Sequence, residues 1–495
     1  MKPVFHRFDA GVFMAGPALS SGPDSPRVAE LDNALEQIGV TRAHHTIIWL
    51  ILMGCLFDAF EQNAVGIVGP LLKEQWGLTP TDIGLLNTIT FAFAAIGRIG
   101  SGAIADRYGR RVMLSVDLLL FTLGAGICAC ASGLGMMAVG RAVVGLGLGG
   151  EIAIAVTMLA EFCSNKFRGT AVGLVNVGAG GLGNFLAPAF GLMIFTLFPG
   201  DNAWRWLFVA LMVPALLGAF YRRFIPETPR FLVAQGRIKE ANAVLSRLAA
   251  GALTLKDVPT RTFLADDGRA AAVAAKVKVR STDIFRGALA KRTIPLCITI
   301  WMAYGAQISV LTLMPTILVT LGYTVSKSLM FTMVMQGGSL LGAIAASLLG
   351  FSFPRKRVLT IGAICACVMA LTIGFLAHNI VMILAAGAIF QFFVLLLNTT
   401  IWIFAPEQYP TRVRAFGTAF ILATGTVGGA FMPLAAGRLL EHWGISGVFG
   451  MVAAMYVLFI VSVQSVPETY GQSPDAEPLP SEAPPVAAAT KPDAA

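Results

Sequence analysis

The string "EFCSNKFRGTA" at residues 161–171 has a counterpart in "EQYPTRVRAFGTA" at residues 407–419. In both strings a glutamate is followed seven positions later by an arginine and then by the tripeptide GTA, and the two glutamates lie 246 positions apart. Two shorter strings repeat in the same order, "RRV" at 110–112 with "KRV" at 356–358, and "PET" at 226–228 with "PET" at 467–469. Repetition on this scale predicts two structurally equivalent halves, each closed by a PET string.

The composition places both halves in a membrane. Of the 495 residues 56% are hydrophobic and 13% charged, and the mean hydropathy is +0.74, which excludes an ordinary soluble domain. A helix needs roughly 20 mostly apolar residues to span a bilayer. Such windows lie at 46–70, 83–105, 112–131, 136–159, 170–197, 204–221, 294–320, 327–350, 358–377, 380–404, 417–440 and 445–466, with kinks expected within 170–197 and 294–320. The sequence therefore predicts an all-α membrane protein of twelve transmembrane helices in two pseudo-symmetric halves of six. Parallel halves of this kind enclose a substrate site near the midplane.

The lysines and arginines of the connecting segments indicate the orientation. They are concentrated after the even-numbered helices, at 107–111, 166–168, 355–357 and 412–414, and in a basic stretch of about 70 residues between the halves. Positive charge marks the cytoplasmic side, so both termini are expected inside a multi-pass protein of the cell (inner) membrane. The net charge of +9 follows from this topology and gives no support to nucleic-acid binding.

This topology divides the chain into five parts. They are a cytoplasmic tail at 1–45, a six-helix half at 46–221, a cytoplasmic central loop with an amphipathic helix at 222–292, a second six-helix half at 293–466, and a tail at 467–495. The first tail lacks the apolar core and cleavage site of a signal peptide. The last is rich in proline, alanine and acidic residues, and we expect it to be disordered and cytoplasmic.

No metal or cofactor site is predicted. The seven cysteines are odd in number, and nearly all of them lie in apolar segments. The pairs Cys128/Cys130 and Cys365/Cys367 have the i, i+2 spacing that places side chains on nearly opposite helix faces. The glycine-rich run at 145–150 lacks the phosphate-loop pattern and predicts close helix packing instead. An intramembrane enzyme would need a catalytic dyad or metal ligands, and neither is found, so we expect no enzymatic activity.

Several motifs resemble the major facilitator superfamily over residues 45–470. The string "GAIADRYGRR" at 102–111 is similar to its signature loop between helices 2 and 3, and "PETPRFLVAQGRIKEANAVL" at 226–245 resembles the segment after helix 6 in sugar porters and their metabolite:proton symporter relatives. The strings "RAVVGLGLGGE" at 141–151 and "APEQYPTRVRAFGTA" at 405–419 resemble the niacin-transporter-like and organic-acid branches. "FDAFEQNAVG" at 57–66 is similar to the DG[FY]D motif of aromatic-acid:proton symporters, with Ala59 for glycine and Glu61 for the second aspartate.

Departures from these patterns bear on three alternative functions. Helix 7 has the single Gln307 where a sugar porter has a glutamine pair, and "GAGGLGNFLAP" at 178–188 lacks the Gly-Pro pair of efflux antiporters. The second signature loop, "FSFPRKRV" at 351–358, has Ser352 and Phe353 in place of the aspartate and arginine of the first. A non-transporting sensor would need a folded cytoplasmic domain, for which the loop and tails offer little room. A sugar:proton symporter, an efflux antiporter and a sensor remain the alternatives.

Two carboxylates, Asp58 and Glu61, lie inside the first apolar window, where an ionised acid is costly. At ~1.5 Å per residue, Asp58 comes near mid-membrane and Glu61 about one turn nearer the outside, at the depth that Arg141 reaches on helix 4. A guanidinium stays charged and needs a carboxylate in a dry bundle. We predict that Glu61 or Asp58 pairs with Arg141, and that the acid takes a proton when Arg141 turns away, which couples protonation to conformation. The alternative is a static ion pair that only fixes helices 1 and 4.

A second set of charged residues predicts a cytoplasmic gate. Their ion pairs are expected to hold the cytoplasmic side shut in the outward-facing state and to break on inward opening. The set comprises Asp106, Arg107, Arg111, Glu151, Glu161, Arg168, Glu227, Arg230, Glu407, Arg412 and Arg414. Asp117 is expected beside this set, and Arg98 is expected to extend to the same interface.

Polar and aromatic residues at mid-depth are the candidate substrate contacts, although each alone would also serve as a helix-packing hydrogen bond. They are Asn63, Asn176, Tyr304, Gln307, Gln336, Asn398 and Trp402. An aromatic pocket with an available Arg141 suits a small planar carboxylate. The sequence thus predicts a proton-coupled symporter that imports an aromatic or nicotinate-like organic acid by alternating access. Its expected partners are the substrate, protons and the lipid bilayer, and we expect a monomer.

Overall fold

The computed structural model describes residues 26–213, 224–253, 259–265, 284–349, 353–377 and 379–469. Every regular element within these ranges is helical. The first 25 residues, and the predicted disordered tail from residue 470 onward, lie outside the described residues.

The first half is a succession of long helices joined by short turns. Its helices are α1 (Pro26–Ile38), α2 (Arg42–Trp76), α3 (Pro80–Tyr108), α4 (Arg110–Ala129), α5 (Leu134–Phe162), α6 (Asn165–Asn176), α7 (Asn184–Leu197) and α8 (Ala203–Ala210). A π-helical stretch, Val177–Gly183, joins α6 to α7. The window predicted to hide a kink at 170–197 therefore contains an irregular, glycine-rich helix.

The central segment and the second half follow. Two short helices, α9 (Pro229–Ala234) and α10 (Ile238–Ala249), precede α11 (Gly287–Thr320), α12 (Val325–Leu349), α13 (Arg355–Leu371), α14 (Ile380–Glu407) and α15 (Thr411–Gln464). A π-helical stretch, Thr372–Leu376, extends α13. The other window expected to kink, 294–320, lies in the single helix α11 even though Pro295 and Pro315 fall inside it.

The apolar windows of the sequence coincide with these helices. Ten described helical segments are long and apolar enough to cross a membrane. The windows at 417–440 and 445–466 both fall in α15, where Gly444 breaks the helix with φ 64° and ψ −153°, a backbone region that favours glycine. The window at 204–221 is described only to residue 213 and begins as α8. These two cases account for the difference between ten segments and the twelve predicted helices.

Glycines let the helices of the first half approach closely. A Cβ added at Gly145 or Gly149 of α5 would collide with a backbone oxygen of α3, and one at Gly147 would collide with α4. In the second half, α12 and α14 make a similar close contact. There the glycines lie on the earlier helix of the pair, because Gly338 and Gly342 of α12 face backbone oxygens of α14. The glycine-rich run of the sequence therefore packs helices, as predicted.

The two halves meet tightly at one end of the bundle. There the backbone N–H of Thr81 donates to Glu441 Oε1 at 2.9 Å and Thr88 Oγ1 donates to the carbonyl of Ala430 at 2.6 Å. Asn87 Nδ2 also donates to Thr312 Oγ1. These contacts join α3 to α15 and to α11, and we call this end the far side.

The opposite end, which we call the loop side, carries α1, α9 and α10. One face of α10 is buried, including Ile238, Leu245 and Leu248. Arg230 of α9 pairs with Asp32 of α1 at 2.5 Å, and Thr41 Oγ1, just before α2, donates to the carbonyl of Leu248 at 2.8 Å. The short helices are thus attached to the loop ends of the first half.

Candidate functional site

An ion pair lies in the interior of the first half. Arg141 enters from α5, and its Nη1 binds a carboxylate oxygen of Glu61 on α2. Its Nε donates to Thr90 Oγ1 of α3 at 2.9 Å, and its Nη2 donates to the backbone carbonyl of Glu61 at 3.4 Å. Both charged side chains are 0% exposed. Of the two acids that the sequence offered to Arg141, the structure brings Glu61 to it.

Asp58 has a different neighbour. Its carboxyl group, 0% exposed, lies against that of Glu151 on α5 and interacts with Asp117 on α4. Neither oxygen of Asp58 receives a hydrogen bond from any residue that the structure describes, and the same holds for Oε1 of Glu151. Asp117 accepts one hydrogen bond, from Ser101 Oγ at 2.9 Å. Glu151, expected in the gate, thus lies in a buried group of carboxyls with Asp58.

The candidate substrate residues fall into two groups. Gln307 of α11 accepts a hydrogen bond from Asn398 of α14 at 2.8 Å, Tyr304 lies one turn from Gln307, and Trp402 lies one turn from Asn398. The hydrogen bond between Gln307 and Asn398 thus joins α11 to α14.

The remaining three candidates make contacts elsewhere. Asn63 donates to Asn184 Oδ1 at 2.9 Å and to the carbonyl of Ala59 at 2.7 Å. Gln336 accepts from Ser339 Oγ at 2.6 Å. Asn176 is half-buried at the end of α6. The amide of Asn63 therefore joins α2 to α7, and the amide of Gln336 bonds within one turn of α12.

Arg98 connects the two halves. Instead of extending along α3 to the loop side, its Nη1 donates to Thr426 Oγ1 of α15 at 2.6 Å, and its Nε donates to the carbonyl of Gly149 at 3.4 Å. Tyr304 lies close enough to interact with the guanidinium and makes an edge-to-face contact with Phe91, with ring centroids 6.2 Å apart. The sequence signal that pointed here was an arginine inside the apolar window 83–105.

The two PET strings play equivalent roles on the loop side. Glu227 accepts from the backbone N–H groups of Arg110 at 3.1 Å and Arg111 at 3.3 Å, at the first turn of α4. In the second half, Glu468 accepts from the backbone N–H of Lys356 at 2.9 Å, in the first turn of α13. The N-terminus of a helix attracts carboxylates because its first N–H groups have no partner within the helix.

The glutamates of the opening repeat complete this arrangement. Glu161 pairs with Arg110 at 3.4 Å and accepts from Thr228 of the first PET string. Glu407 pairs with Arg355 at 3.1 Å and accepts from Thr469 of the second, at 2.9 Å. In each half, therefore, a glutamate at the end of one helix binds an arginine at the start of another helix and the threonine of the PET string, and so joins three loop-side segments.

Burial raises the pKa of the Glu227 carboxyl, whereas its hydrogen bonds from the backbone of Thr228, Arg110 and Arg111, and the charge of Arg110, act to lower it. Together these effects leave the pKa of Glu227 above its ordinary value. We therefore expect Glu227 to stabilise the fold through its acceptor oxygens more than through its charge.

The other gate candidates are placed as follows. Arg107 is exposed and lies over the ring of Tyr108 at 5.5 Å, and Arg414 Nε donates to the carbonyl of Tyr409 at 3.2 Å. The side chains of Asp106, Arg168 and Arg412 lie outside the described part of the structure. A cavity of about 310 Å³ on the loop side is lined by Arg111, Glu227 and Arg247, among others. Among the described residues, no group of histidine, cysteine and acidic side chains is arranged to hold a metal ion.

Comparison with known proteins assigns the fold and the family. The family described as "Sugar (and other) transporter" matches residues 48–476. The xylose transporter of E. coli, solved in a partially occluded inward-open conformation, superimposes with a TM-score of 0.72 at 17% identity, covering 87% of this chain and 99% of that one. This likeness confirms the predicted twelve-helix major facilitator fold.

Relatives of similar length carry names of small aromatic acids. The niacin transporter of Acinetobacter baylyi is 28% identical over 453 residues, covering 91% of this chain and 99% of the relative. The 4-hydroxybenzoate transporter of the same organism is 26% identical, with 84% and 91% covered, and a gallate transporter of Pseudomonas putida is 28% identical, with 79% and 86% covered. These relatives are transporters, and the proteins of this fold and family are transporters rather than enzymes. With ten apolar helical segments among its described residues, a buried ion pair between α2 and α5 and repeated loop-side contacts in both halves, the chain belongs to the sugar (and other) transporter family of the major facilitator superfamily.

Proposed function

We propose that this protein is a proton-coupled symporter that imports a small planar organic acid, nicotinate-like or aromatic, by alternating access. The observation that carries the proposal is the ion pair between Glu61 and Arg141, which is 0% exposed inside the membrane-spanning bundle. A carboxylate opposite a guanidinium is held ionised, and it binds a proton when the guanidinium moves away, because burial disfavours its charge. The pair thereby links protonation of Glu61 to the relative positions of α2 and α5.

The polar neighbours of Arg141 support this role. The guanidinium holds Thr90 on α3 and both a side-chain and a backbone oxygen of Glu61, so its position depends on three helices at once. One carboxylate oxygen of Glu61, Oε2, has no hydrogen-bond partner among the described residues. That oxygen is proposed to accept the proton when Arg141 moves away.

The substrate carboxylate is proposed to bind Arg98 rather than Arg141. Arg141 is fully buried and engaged by Glu61 and Thr90, whereas Arg98 lies half-buried between the halves, and its Nη2 makes no hydrogen bond to any described residue. Tyr304 and Phe91 supply aromatic surface beside it. An arginine with neighbouring rings matches the carboxylate and the planar ring of an aromatic acid. The Gln307 and Asn398 pair is the proposed polar contact for the substrate in the second half.

The loop-side contacts are proposed to form the cytoplasmic gate, with the loop side in the cytoplasm and the chain in the cell (inner) membrane as a monomer. In each half the gate consists of the glutamate of the opening repeat, its arginine partner and the PET string. Glu161 with Arg110 and Glu407 with Arg355 are the described ion pairs of this set. The far side is closed by direct contacts between the halves, including Thr88 with Ala430. Closure at that side is the arrangement that precedes release of substrate toward the loop side.

Three alternatives predict different transport behaviour. A sugar:proton symporter would accumulate a pentose or hexose, an efflux antiporter would export its substrate as protons enter, and a sensor would move nothing. The names of the niacin, 4-hydroxybenzoate and gallate transporters favour aromatic acids.

The test is uptake into proteoliposomes that contain the purified protein. Labelled nicotinate, 4-hydroxybenzoate and xylose are compared with and without an imposed gradient that is acid outside. We expect one of the aromatic acids to accumulate above the equilibrium level, with a proton ionophore abolishing the accumulation. Accumulation of xylose alone would favour the sugar symporter. Uptake of an acid that does not respond to the gradient would contradict proton coupling.

A further inference from the structure

A second group of acidic side chains lies closer to the loop side than the Glu61–Arg141 pair. Asp58 of α2, Glu151 of α5 and Asp117 of α4 are 0%, 1% and 0% exposed. Asp58 and Glu151 have their carboxyl groups side by side, and Asp117 interacts with both. Three helices therefore bring three carboxyl groups together at one site that is buried from solvent.

None of these acids has a cationic partner among the described residues. Arg141, the nearest arginine along α5, is occupied by Glu61, and Arg98 on α3 reaches across to Thr426. The other titratable or polar neighbours are Glu61 and Cys55 on α2, Ser101 on α3 and Tyr304 on α11. Of these, Ser101 donates to Asp117 and leaves the Asp58 and Glu151 pair without a donor.

Two adjacent carboxylates cannot both stay ionised in such a setting. Removing a charge from water without a counter-ion costs several kcal/mol, and like charges side by side add to that cost. A single proton between the two groups resolves both problems, because the protonated group donates the hydrogen bond that the other lacks. Asp58 has both oxygens free of any other described donor, so it is placed to give or to receive that bond.

We propose that Asp58 and Glu151 form a second proton-binding site, in which the two carboxyl groups share one proton, and that Asp117 connects this site to the loop side. The inference rests on the proposed function, since it adds a step to the path of the coupled proton. The proton is transferred as such from one carboxyl oxygen to another, and no other bond changes. Glu61 keeps its role as the acid that responds to Arg141.

The order of the groups along the helices supports a path. Asp58 lies three residues, or roughly one turn, to the loop side of Glu61 on α2, and Asp117 lies seven residues into α4 from its loop end at Arg110. A Cβ at Gly150, beside Glu151, would collide with Asp117 and Ser101, so this glycine lets α5 approach the Asp117 group. The groups thus follow one another from the ion pair toward the loop side.

The test that needs no substrate is infrared spectroscopy of the purified protein in lipid nanodiscs at neutral pH. The D58N/E151Q double variant should lose the carbonyl absorption of one protonated carboxyl group, identified by its shift in heavy water. The control E61Q should retain that absorption, because Glu61 is not a member of the proposed pair. If the double variant retains the full parental absorption, the shared proton does not exist.

Should the double variant fail to fold by its melting curve, the single variants D58N and E151Q decide the matter. Each replaces one partner of the shared proton with an amide, so each should shift the frequency of the protonated-carboxyl band. Two unchanged bands would overturn the proposal.

A transport measurement separates this proposal from the function it rests on. With labelled nicotinate or 4-hydroxybenzoate, E151Q should lose accumulation driven by a pH gradient and keep counterflow, and Glu151→Asp should restore accumulation. If E61Q loses accumulation while E151Q accumulates like the parental protein, the second site has no part in coupling and proton coupling itself stands. If the parental protein shows no response to the gradient, the proposed function fails, and the infrared result still decides whether the proton is there.

Discussion

Arg141 binds Glu61, not Asp58, and this separates two neighbouring acids of one helix into different chemical settings. Glu61 faces a guanidinium and Thr90, whereas Asp58, one turn away, faces the carboxyl of Glu151. A transporter that couples protons to substrate needs an acid whose protonation depends on conformation. In the proposed function, the pair of Glu61 with Arg141 meets that requirement.

Close helix contact in the first half depends on glycine. The variant Gly149→Val should be destabilised by ~1–3 kcal/mol or fail to assemble, because its Cβ would collide with the backbone of α3 at Ala94. The matched control is Gly135→Val near the far end of the same helix, where a Cβ meets nothing within 4 Å. Melting temperatures in detergent check the prediction, and equal stabilities for the two variants would contradict it.

The PET glutamate should matter as an acceptor more than as a charge. Because burial raises the pKa of Glu227, its ionised form is disfavoured in the folded protein, and the free-energy cost of that charge is present above the folded pKa and disappears as the pH falls below it. We therefore expect Glu227→Gln to be close to the parental stability. Glu227→Ala should lose ~1–3 kcal/mol, since it leaves the N–H groups of Arg110 and Arg111 without their acceptor.

Glu240→Ala is the control for this pair of variants. Glu240 forms an exposed pair with Arg237 in the same loop region, and such pairs are worth ~0–1 kcal/mol. Thermal unfolding across a pH series measures all three variants. A Gln variant as unstable as the Ala variant would show that the charge itself stabilises the loop side.

Arg98 is expected to bind the carboxylate of the substrate. Arg98→Ala should weaken binding of the transported acid by about tenfold or more, which is the loss of one charge-assisted hydrogen bond of ~1.5–3 kcal/mol. The uncharged amide of the same acid should bind the variant and the parental protein alike. Arg205→Ala, at a half-buried cation on the far side with its own partner Asn202, serves as control. Binding is measured by calorimetry, and an unchanged affinity for the acid in Arg98→Ala would move the substrate carboxylate elsewhere.

Sidedness can be tested with single cysteines. In a background with the exposed Cys130 replaced by serine, Lys239→Cys on α10 and Asn202→Cys before α8 both carry exposed positions, on the loop side and the far side. We expect an impermeant thiol reagent to label Asn202→Cys in intact cells and Lys239→Cys only in inverted membranes. The reverse pattern would place the loop side outside the cell.

The sequence predicted the fold well because the length and hydropathy of the apolar windows, and the repeat, are properties of whole helices and do not depend on the direction of any one side chain. The repeat also pointed to Glu161 and Glu407, which make equivalent contacts in the two halves. Their arginine partners, Arg110 and Arg355, were not among the predicted gate residues, because the repeat suggested Arg168 and Arg414 instead. Which acid meets Arg141 could not be read from the sequence. Asp58 and Glu61 differ by one turn in depth, and the choice depends on how α2 is rotated against α5.

Arg98 and Glu151 show the same limit more sharply. Depth along the helix suggested that both belong to the loop-side interface. The structure instead directs Arg98 to Thr426 in the other half and Glu151 to Asp58. The rotation of each helix about its own axis sets the lateral direction in which its side chains extend. Contacts between the halves depend on this lateral direction, which a depth count omits.

A comparison of net accumulation with counterflow in Glu61→Gln shows whether Glu61 couples the proton gradient to transport. Proteoliposomes with the parental protein or the variant receive labelled nicotinate or 4-hydroxybenzoate, either under an acid-outside gradient or with unlabelled acid inside and no gradient. We predict that the variant loses accumulation above equilibrium and keeps counterflow, because an amide cannot carry the proton while the halves still exchange bound substrate. Accumulation by Glu61→Gln at the parental level would show that the ion pair with Arg141 is structural and would contradict the account.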